Sequence, residues 1–268
     1  MSIPIALQDR VVVVTGASSG IGAVVAEKVG QRGGRVVLLA RRERELQEVA
    51  RRAGGEALAI VADVTRRDEI DRAVAQALAR FGGIDVWINN AGRGITRNVS
   101  ELTDADFDEM MLVNVKSVLY GMQAVLPHFR ERGSGHIINV SSMLGRIPFA
   151  PFRSAYIAAK HAMNGLTACL RMELRPSHPG IQVSVVHPGV VATEFGVRAL
   201  HGGVDSRQIP GAQSVDAVAD VIVGVIEDPR ADVYTQPNGR QMVVGYYSAE
   251  DMAAFEAQSP FAPRRPQW

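Results

Sequence analysis

Cysteine is almost missing from the chain. Cys169 stands alone, so no internal disulfide can form, and such usage fits a reducing compartment; a cytoplasmic location is expected. Cys169 lies in an apolar helical run and is expected to be buried and unreactive. Charge of one sign is not in excess either. The 29 basic and 28 acidic residues leave a net charge of +1, which gives no overall field to attract nucleic acid or an anionic membrane. No apolar run approaches the roughly 18–20 residues of a membrane helix, and the opening "MSIPIALQDR" lacks the basic-then-apolar pattern of a secretory signal. The sequons at Asn98 and Asn139 carry no meaning in such a compartment. The six histidines show neither H-x-x-x-H nor Cys/His spacing, so no metal is expected.

What remains is the profile of a soluble globular chain, 47% apolar and 21% charged over 268 residues, a length at which one α/β domain is common. Arginine pairs such as Arg51-Arg52 and Arg66-Arg67 are interspersed with acids and read mostly as solvated helix faces. Short β-branched runs recur at Val11–Val14, Val36–Leu39, Ala57–Ala62, Val86–Asn89, His136–Val140, Gln182–Val186 and Val233–Thr235. Most are apolar throughout, as expected of parallel strands covered on both faces. Helical segments lie between them, near Ala23–Arg32, Arg42–Ala53, Asp68–Phe81, Asp104–Glu131, Ala155–Leu174 and Val215–Glu227. Thr103 and Ser214 precede two of these as capping residues. The alternation predicts a single-domain α/β fold over 1–268, a Rossmann-type doubly wound parallel sheet of about seven strands with right-handed connections. Two stretches break the rhythm. Residues 194–213 are too long for an ordinary loop and are expected to cover a site. The end from about 246, above all "SPFAPRRPQW", reads as a variable tail or a subunit contact.

The first strand runs into "TGASSGIG", Thr15 to Gly22, and then into a helix. Gly16 permits a tight turn, Gly20 lets a pyrophosphate approach the backbone, and Gly22 lets the helix pack close with its N–H groups toward the anion. A purely structural strand-to-helix turn uses the same residues. NAD-binding units carry an acid about 20 residues past the glycines, but here the second strand ends in Ala40-Arg41-Arg42. A guanidinium at Arg41 suits a ribose 2′-phosphate, so NADP(H) is expected in preference to NAD. The alternative is a basic start to the next helix, with Glu43 beside it.

Further pieces follow in order: "NNAG" at Asn89–Gly92, Asn114 in "MLVNVKS", "INVSS" ending at Ser142, Tyr156 and Lys160 in "SAYIAAKHA", and "HPGVVAT" ending at Thr193. All fall at or beyond the carboxyl ends of strands, the rim where ligands bind in open α/β sheets. The spacing i, i+4 puts Tyr156 and Lys160 on one helix face. Free tyrosine, with a pKa of about 10, is a poor base at neutral pH, and a cation within ~4–6 Å lowers it.

Together with the T-G-x-x-x-G-x-G turn, this set resembles the classical short-chain dehydrogenases/reductases over about Val11 to Thr193. The resemblance implies an oxidoreductase moving a hydride between NADP(H) and a carbonyl or secondary alcohol, a ketoreductase in its physiological direction, with Tyr156 as acid/base. Lys160, assisted by a positively charged nicotinamide in the oxidised complex, would lower the tyrosine pKa and would hold the nicotinamide ribose, Ser142 would hold the substrate oxygen, and Asn114 would anchor a water. The cofactor would lie along Gly16, Ser18, Ser19, Gly20, Ile21, Arg41, Asp63, Val64, Asn90, Ala91, Gly92, Tyr156, Lys160, Pro188, Gly189, Val191 and Thr193. Asp63 reads equally as a cap for the helix near Asp68. His187, His136 and His161 read as structural. A homodimer or homotetramer through 104–131 and 155–174 is implied.

Met143, Leu144, Phe149, Phe152 and Phe195 would make an apolar wall suited to a lipophilic ketone, or would only pack the covering segment. A regulatory nucleotide sensor would not need Ser142, Tyr156 and Lys160 together. A nucleotide-sugar epimerase or dehydratase would show T-G-x-x-G-x-x-G and a larger C-terminal region.

Overall fold

The computed structural model of the chain describes residues 6–258. Seven parallel strands form one sheet in the order β3-β2-β1-β4-β5-β6-β7: β1 Val11–Thr15, β2 Arg35–Ala40, β3 Ala57–Val61, β4 Val86–Asn89, β5 Gly135–Val140, β6 Ile181–His187 and β7 Asp232–Tyr234. This is the expected α/β Rossmann-type sheet. The apolar strand runs have a direct explanation in packing. Val12, Val14, Val36 and Leu38 turn to one face, against α1 (Gly20–Gln31), α2 (Glu43–Ala53) and α7 (Val215–Glu227). Val11, Val13, Val37 and Leu39 turn to the other, against α3 (Arg67–Phe81), α5 (Ser117–Arg132) and α6 (Ser154–Leu174). Successive side chains alternate across a strand, so a strand covered on both sides has no polar face to show.

The chain runs outward from β1 to β3 and then returns to β4 beside β1. In open α/β sheets such a reversal, at the carboxyl edge, is where ligands bind. Two capped helices are as read from the sequence. Thr103 and Asp106 form a reciprocal capping box on α4 (Asp104–Met111), and Ser214 caps α7 through the Ala217 amide.

The structure adds three particulars. Residues 104–131 are helical throughout, as expected, but not uniformly α: α4 ends at Met111, a single π turn spans Leu112–Lys116, and α5 follows. Asn114 sits in that turn, and its side chain ties it to Arg93, 21 residues away. Cys169 is exposed rather than buried. The buried stripe of α6 runs through Tyr156, Lys160, Met163, Thr167, Leu170 and Leu174, and Cys169 falls beside it. The stretch from about 246 is in part folded: α8 (Gly239–Tyr247) buries Tyr246 against Met143 and Ile147, and α9 (Met252–Glu256) packs there through Met252 and Phe255. "SPFAPRRPQW" lies outside the described residues. Among those described, no helix is long and apolar enough to cross a membrane.

Candidate active site

The turn after β1 is built by close approach of backbone. Gly16 has φ +67, and a Cβ there would lie 2.8 Å from Ala91 Cα. A Cβ on Gly22 would lie 2.6 Å from the Gly16 carbonyl oxygen. Both positions therefore exclude a side chain. Thr15 Oγ1 accepts from the Asn90 and Ala91 amides at 3.0 Å each, and Asn90 Nδ2 donates to the Thr15 carbonyl at 3.0 Å. The Asn90 side chain is thus spent on joining the "NNAG" turn to the glycine turn. At the head of α1, Ser19 does not cap the helix with its side chain, and the first turn carries no acid. The α1 amides are left as donors at the positive end of a helix, a setting that favours an anion.

Arg42 reaches this turn. Its Nη2 donates to Ser18 Oγ at 2.9 Å and Ser19 Oγ at 2.7 Å. Arg41 instead projects outward with its side chain 74% exposed, 3.8 Å from Asp63. Sequence reasoning missed Arg42, because which of two adjacent arginines turns inward depends on where β2 ends. Asp63 does not cap the following helix. It accepts from the Thr65 amide at 2.9 Å and the Thr65 hydroxyl at 2.7 Å, closing its own turn, while the N-cap position of α3 is Arg66.

Ser142, Tyr156, Lys160 and Asn114 are all buried. Lys160 Nζ donates to the Val140 carbonyl at 2.9 Å and lies 5.6 Å from the Tyr156 ring centroid. Ser142 Oγ accepts from the Leu144 amide at 3.1 Å, and the Ser142 side chain acts against burial in holding the Tyr156 pKa down. Gly92 is where Asn114 and Lys160 meet: a Cβ there would be 2.9 Å from Asn114 Oδ1 and 3.7 Å from Lys160 Nζ. The Asn114 amide is bonded at both ends, donating to the Arg93 and Met110 carbonyls and accepting from the Arg93 amide. Such π turns recur where a helix is locally rebuilt around a site.

The electrostatics differ from the expectation in one respect. Burial pushes the Tyr156 phenol up to about 12, outweighing the Ser142 hydrogen bond and the positive charge of Arg153. Burial also brings the Lys160 ammonium down to about 8. The protein residues alone do not depress the phenol. They hold it protonated, beside a lysine still mostly charged at neutral pH.

The last strand-end segment closes the far side. Thr193 Cγ2 would lie 3.4 Å from a Cβ on Gly20, so this residue sits over the glycine turn. Pro188 accepts from the Met143 amide at 2.8 Å, and Gly189 and Val191 are tied to Gln213. Residues 194–213 are anchored at several points. Leu200 pairs with 94–96, Thr96 Oγ1 donates to the Gly202 carbonyl at 2.6 Å, and His201 meets Asp106 at 2.7 Å.

The expected apolar wall is divided. Leu144 and Phe195 pack with Tyr156, Ile95, Met110 and Leu200, and the Phe195 ring meets the Tyr156 ring edge-on at 5.4 Å. Met143 and Phe149 turn toward α8 and α9, and Phe152 is 46% exposed. Ile95, Met110 and Leu200 carried no sequence signal, since each reaches the wall only through long-range packing. His187 is fully buried against Asp232 at 2.6 Å and stacks on Tyr234. His136 bonds Ser184, and burial pulls its pKa down to about 4.

The short chain dehydrogenase family model matches residues 10–201, and the chain belongs to that family. It is 34% identical over 235 residues to an uncharacterized oxidoreductase, YxnA, of Bacillus subtilis, an alignment covering 85% of this chain and 65% of that protein. A short chain dehydrogenase/reductase from Burkholderia phymatum in complex with NAD superposes with a TM-score of 0.82 at 27% identity, over 91% of this chain and 94% of the other. A metagenomic short-chain oxidoreductase in complex with NADP gives 0.71 at 34% identity, over 86% and 98%. The protein is accordingly an oxidoreductase of this family with a Rossmann-like fold.

Proposed function

We propose that the protein is an NADP(H)-dependent reductase of lipophilic ketones or aldehydes, with Tyr156 as the proton donor. The observation that carries this reading is the burial of Ser142, Tyr156 and Lys160 together at the carboxyl edge, beside the glycine turn. A nicotinamide cofactor fits the donor set there. The amides of α1, the hydroxyls of Ser18 and Ser19 and the guanidinium of Arg42 would hold its phosphates. Gly20 and Ile21 would pass beneath the pyrophosphate, and Asp63, Val64, Asn90, Ala91 and Gly92 would line the adenosine side. Lys160, Pro188, Gly189, Val191 and Thr193 would line the nicotinamide side. When bound, the cofactor supplies a hydride to the carbonyl carbon.

The protein residues handle the oxygen. Ser142 donates a hydrogen bond to it, stabilising the negative charge that develops there. Tyr156, held as a phenol by burial, gives up its proton as that charge grows. The positive charge of Lys160 favours the phenolate left behind. Both ends of the Asn114 side-chain amide are already bonded within the protein, and Asn114 would anchor a water for reprotonation, as the family resemblance implies. Ile95, Leu144, Phe195 and Leu200 keep the reacting oxygen out of bulk water and favour an apolar substrate.

The preference for NADP(H) is supported by Ala40 in place of an acid and by two arginines after it. The 2′-phosphate falls to Arg42, which already reaches the turn, with Arg41 beside it. Charge-assisted hydrogen bonds contribute about 1.5–3 kcal/mol, so R42Q is expected to raise the KM for NADPH about 10- to 100-fold while leaving NADH turnover nearly unchanged. R41D is expected to shift preference toward NAD. Equal NADPH kinetics in both variants and wild type would remove the arginines from cofactor choice. The reaction itself is tested with steroids, aliphatic ketones, quinones and sugars, followed by nicotinamide absorbance. Turnover of apolar ketones is expected, and activity confined to phosphorylated sugars would contradict the reading.

A further inference from the structure

Arg153 breaks two local rules at once. It occupies the N-cap position of α6, where its side chain caps nothing and a positive charge opposes the helix dipole. It is also half-buried, yet no carboxylate lies within 4 Å of it among the described residues, unlike Arg10, Arg32, Arg35 or Arg146. Its Nη1 donates to the Ile95 carbonyl and to Thr96 Oγ1, both at 3.1 Å. A cation kept in a costly position without an acid to pair with points to a role outside stability.

Its surroundings say which. Arg153 stands three residues before Tyr156, on the same side of the helix. A Cβ on Gly94 would lie 3.3 Å from Arg153 Nη1 and 2.8 Å from the Phe195 ring, and that ring is the one set edge-on against Tyr156. Gly94, Phe195 and Ile95 thus lie between the Arg153 side chain and the cluster that holds the Tyr156 ring. Lys160 lies one turn further along, 5.6 Å from the centroid of the ring. The remaining charges nearby belong to α4 and the covering segment: Asp106 is paired with His201 and Arg97, Glu109 with Arg93, and Glu194, next to Phe195, with Arg198 and Arg207.

We propose that Arg153 is a positioning residue for the proton on Tyr156, a second cation that works with Lys160 from the opposite end of the same two turns. It rests on Tyr156 being the acid/base. The Arg153 charge acts to lower the Tyr156 pKa, and the Tyr156 charge in turn steadies the guanidinium. In the oxidation direction Tyr156 must be deprotonated, and the positively charged nicotinamide of the oxidised cofactor would there join Lys160 in bringing its pKa down from the value that burial sets. Removing the Arg153 charge raises the phenol pKa, so the acid limb of kcat/KM moves to higher pH.

The test compares the pH profile of alcohol oxidation in wild type, R153Q and R153K. R153Q keeps a donor for the Ile95 carbonyl but removes the charge. It is expected to displace the acid limb upward, so that the rate at fixed pH on that limb falls about 3- to 10-fold. Rates should converge above the limb, KM should change little, and R153K should restore most of the loss. R153M takes the place of R153Q if the latter does not fold. A limb at the same pH in the neutral variant and in R153K overturns the proposal. So does a loss that is uniform across pH, or one confined to KM, which would make Arg153 a substrate contact. Y156F separates the two levels: if it keeps full turnover the underlying reading fails, whereas an inactive Y156F with an unmoved R153Q limb refutes only the role of Arg153.

Discussion

Y156F is expected to lower kcat for ketone reduction by about 10²–10⁴-fold, the range attributed to a positioned general acid. The substitution removes one oxygen and keeps the ring, and with it the edge-on contact to Phe195 and the packing against Ile95, Met110 and Leu144. Folding and the KM for NADPH should therefore be nearly unchanged. A buried phenol also carries a desolvation cost that phenylalanine does not, so thermal stability should hold or rise. Steady-state kinetics paired with a melting curve checks both halves. A fall in Tm together with a small fall in kcat would make Tyr156 a structural residue.

K160M should separate stability from activity more sharply. Lys160 is 3% exposed, and the one hydrogen bond found for it is to the Val140 carbonyl. Burying an ammonium with a single neutral partner is unfavourable unless further groups satisfy it, and burial has already brought its pKa down to about 8. Methionine has similar length and no desolvation cost. Against this, the Val140 carbonyl loses its donor, worth about 1–3 kcal/mol. The two effects oppose each other, so Tm is expected to stay close to wild type while kcat falls about 100-fold or more, since the phenolate is no longer stabilised as it forms. K160R should not rescue, because the planar guanidinium is wider and Gly92, Asn114 and Val140 leave no room for it. An active K160M, or a K160R at wild-type rate, would show that the ammonium has no part in the chemistry.

Much of this architecture is legible in the chain because parallel strands buried on both faces must be apolar throughout. Val11–Val14 and Val36–Leu39 announce themselves in that way. The order of site motifs is equally legible, since each follows a strand. What is hidden depends on contacts between distant residues. Leu112–Lys116 reads as ordinary helix, yet it forms a π turn from which Asn114 bonds to Arg93. Arg41 and Arg42 are indistinguishable in sequence, yet only one turns to Ser18 and Ser19. Cys169 has apolar neighbours but sits one residue off the buried stripe of α6. The depressed phenol expected from the i, i+4 pair needs more than spacing, because spacing carries no information on burial. Arg153 has no motif at all: it bonds Ile95 and Thr96 and has no carboxylate partner among the described residues.

The most direct test of the central claim is isotope transfer. Purified protein is given NADPH carrying deuterium at the nicotinamide C4 transferred position together with an apolar ketone, and the product alcohol is examined by mass spectrometry. One deuterium on the former carbonyl carbon is predicted for the wild type, with label transfer in Y156F reduced to a small residue. Label absent from the product carbon, or transferred equally by both proteins, would contradict the account.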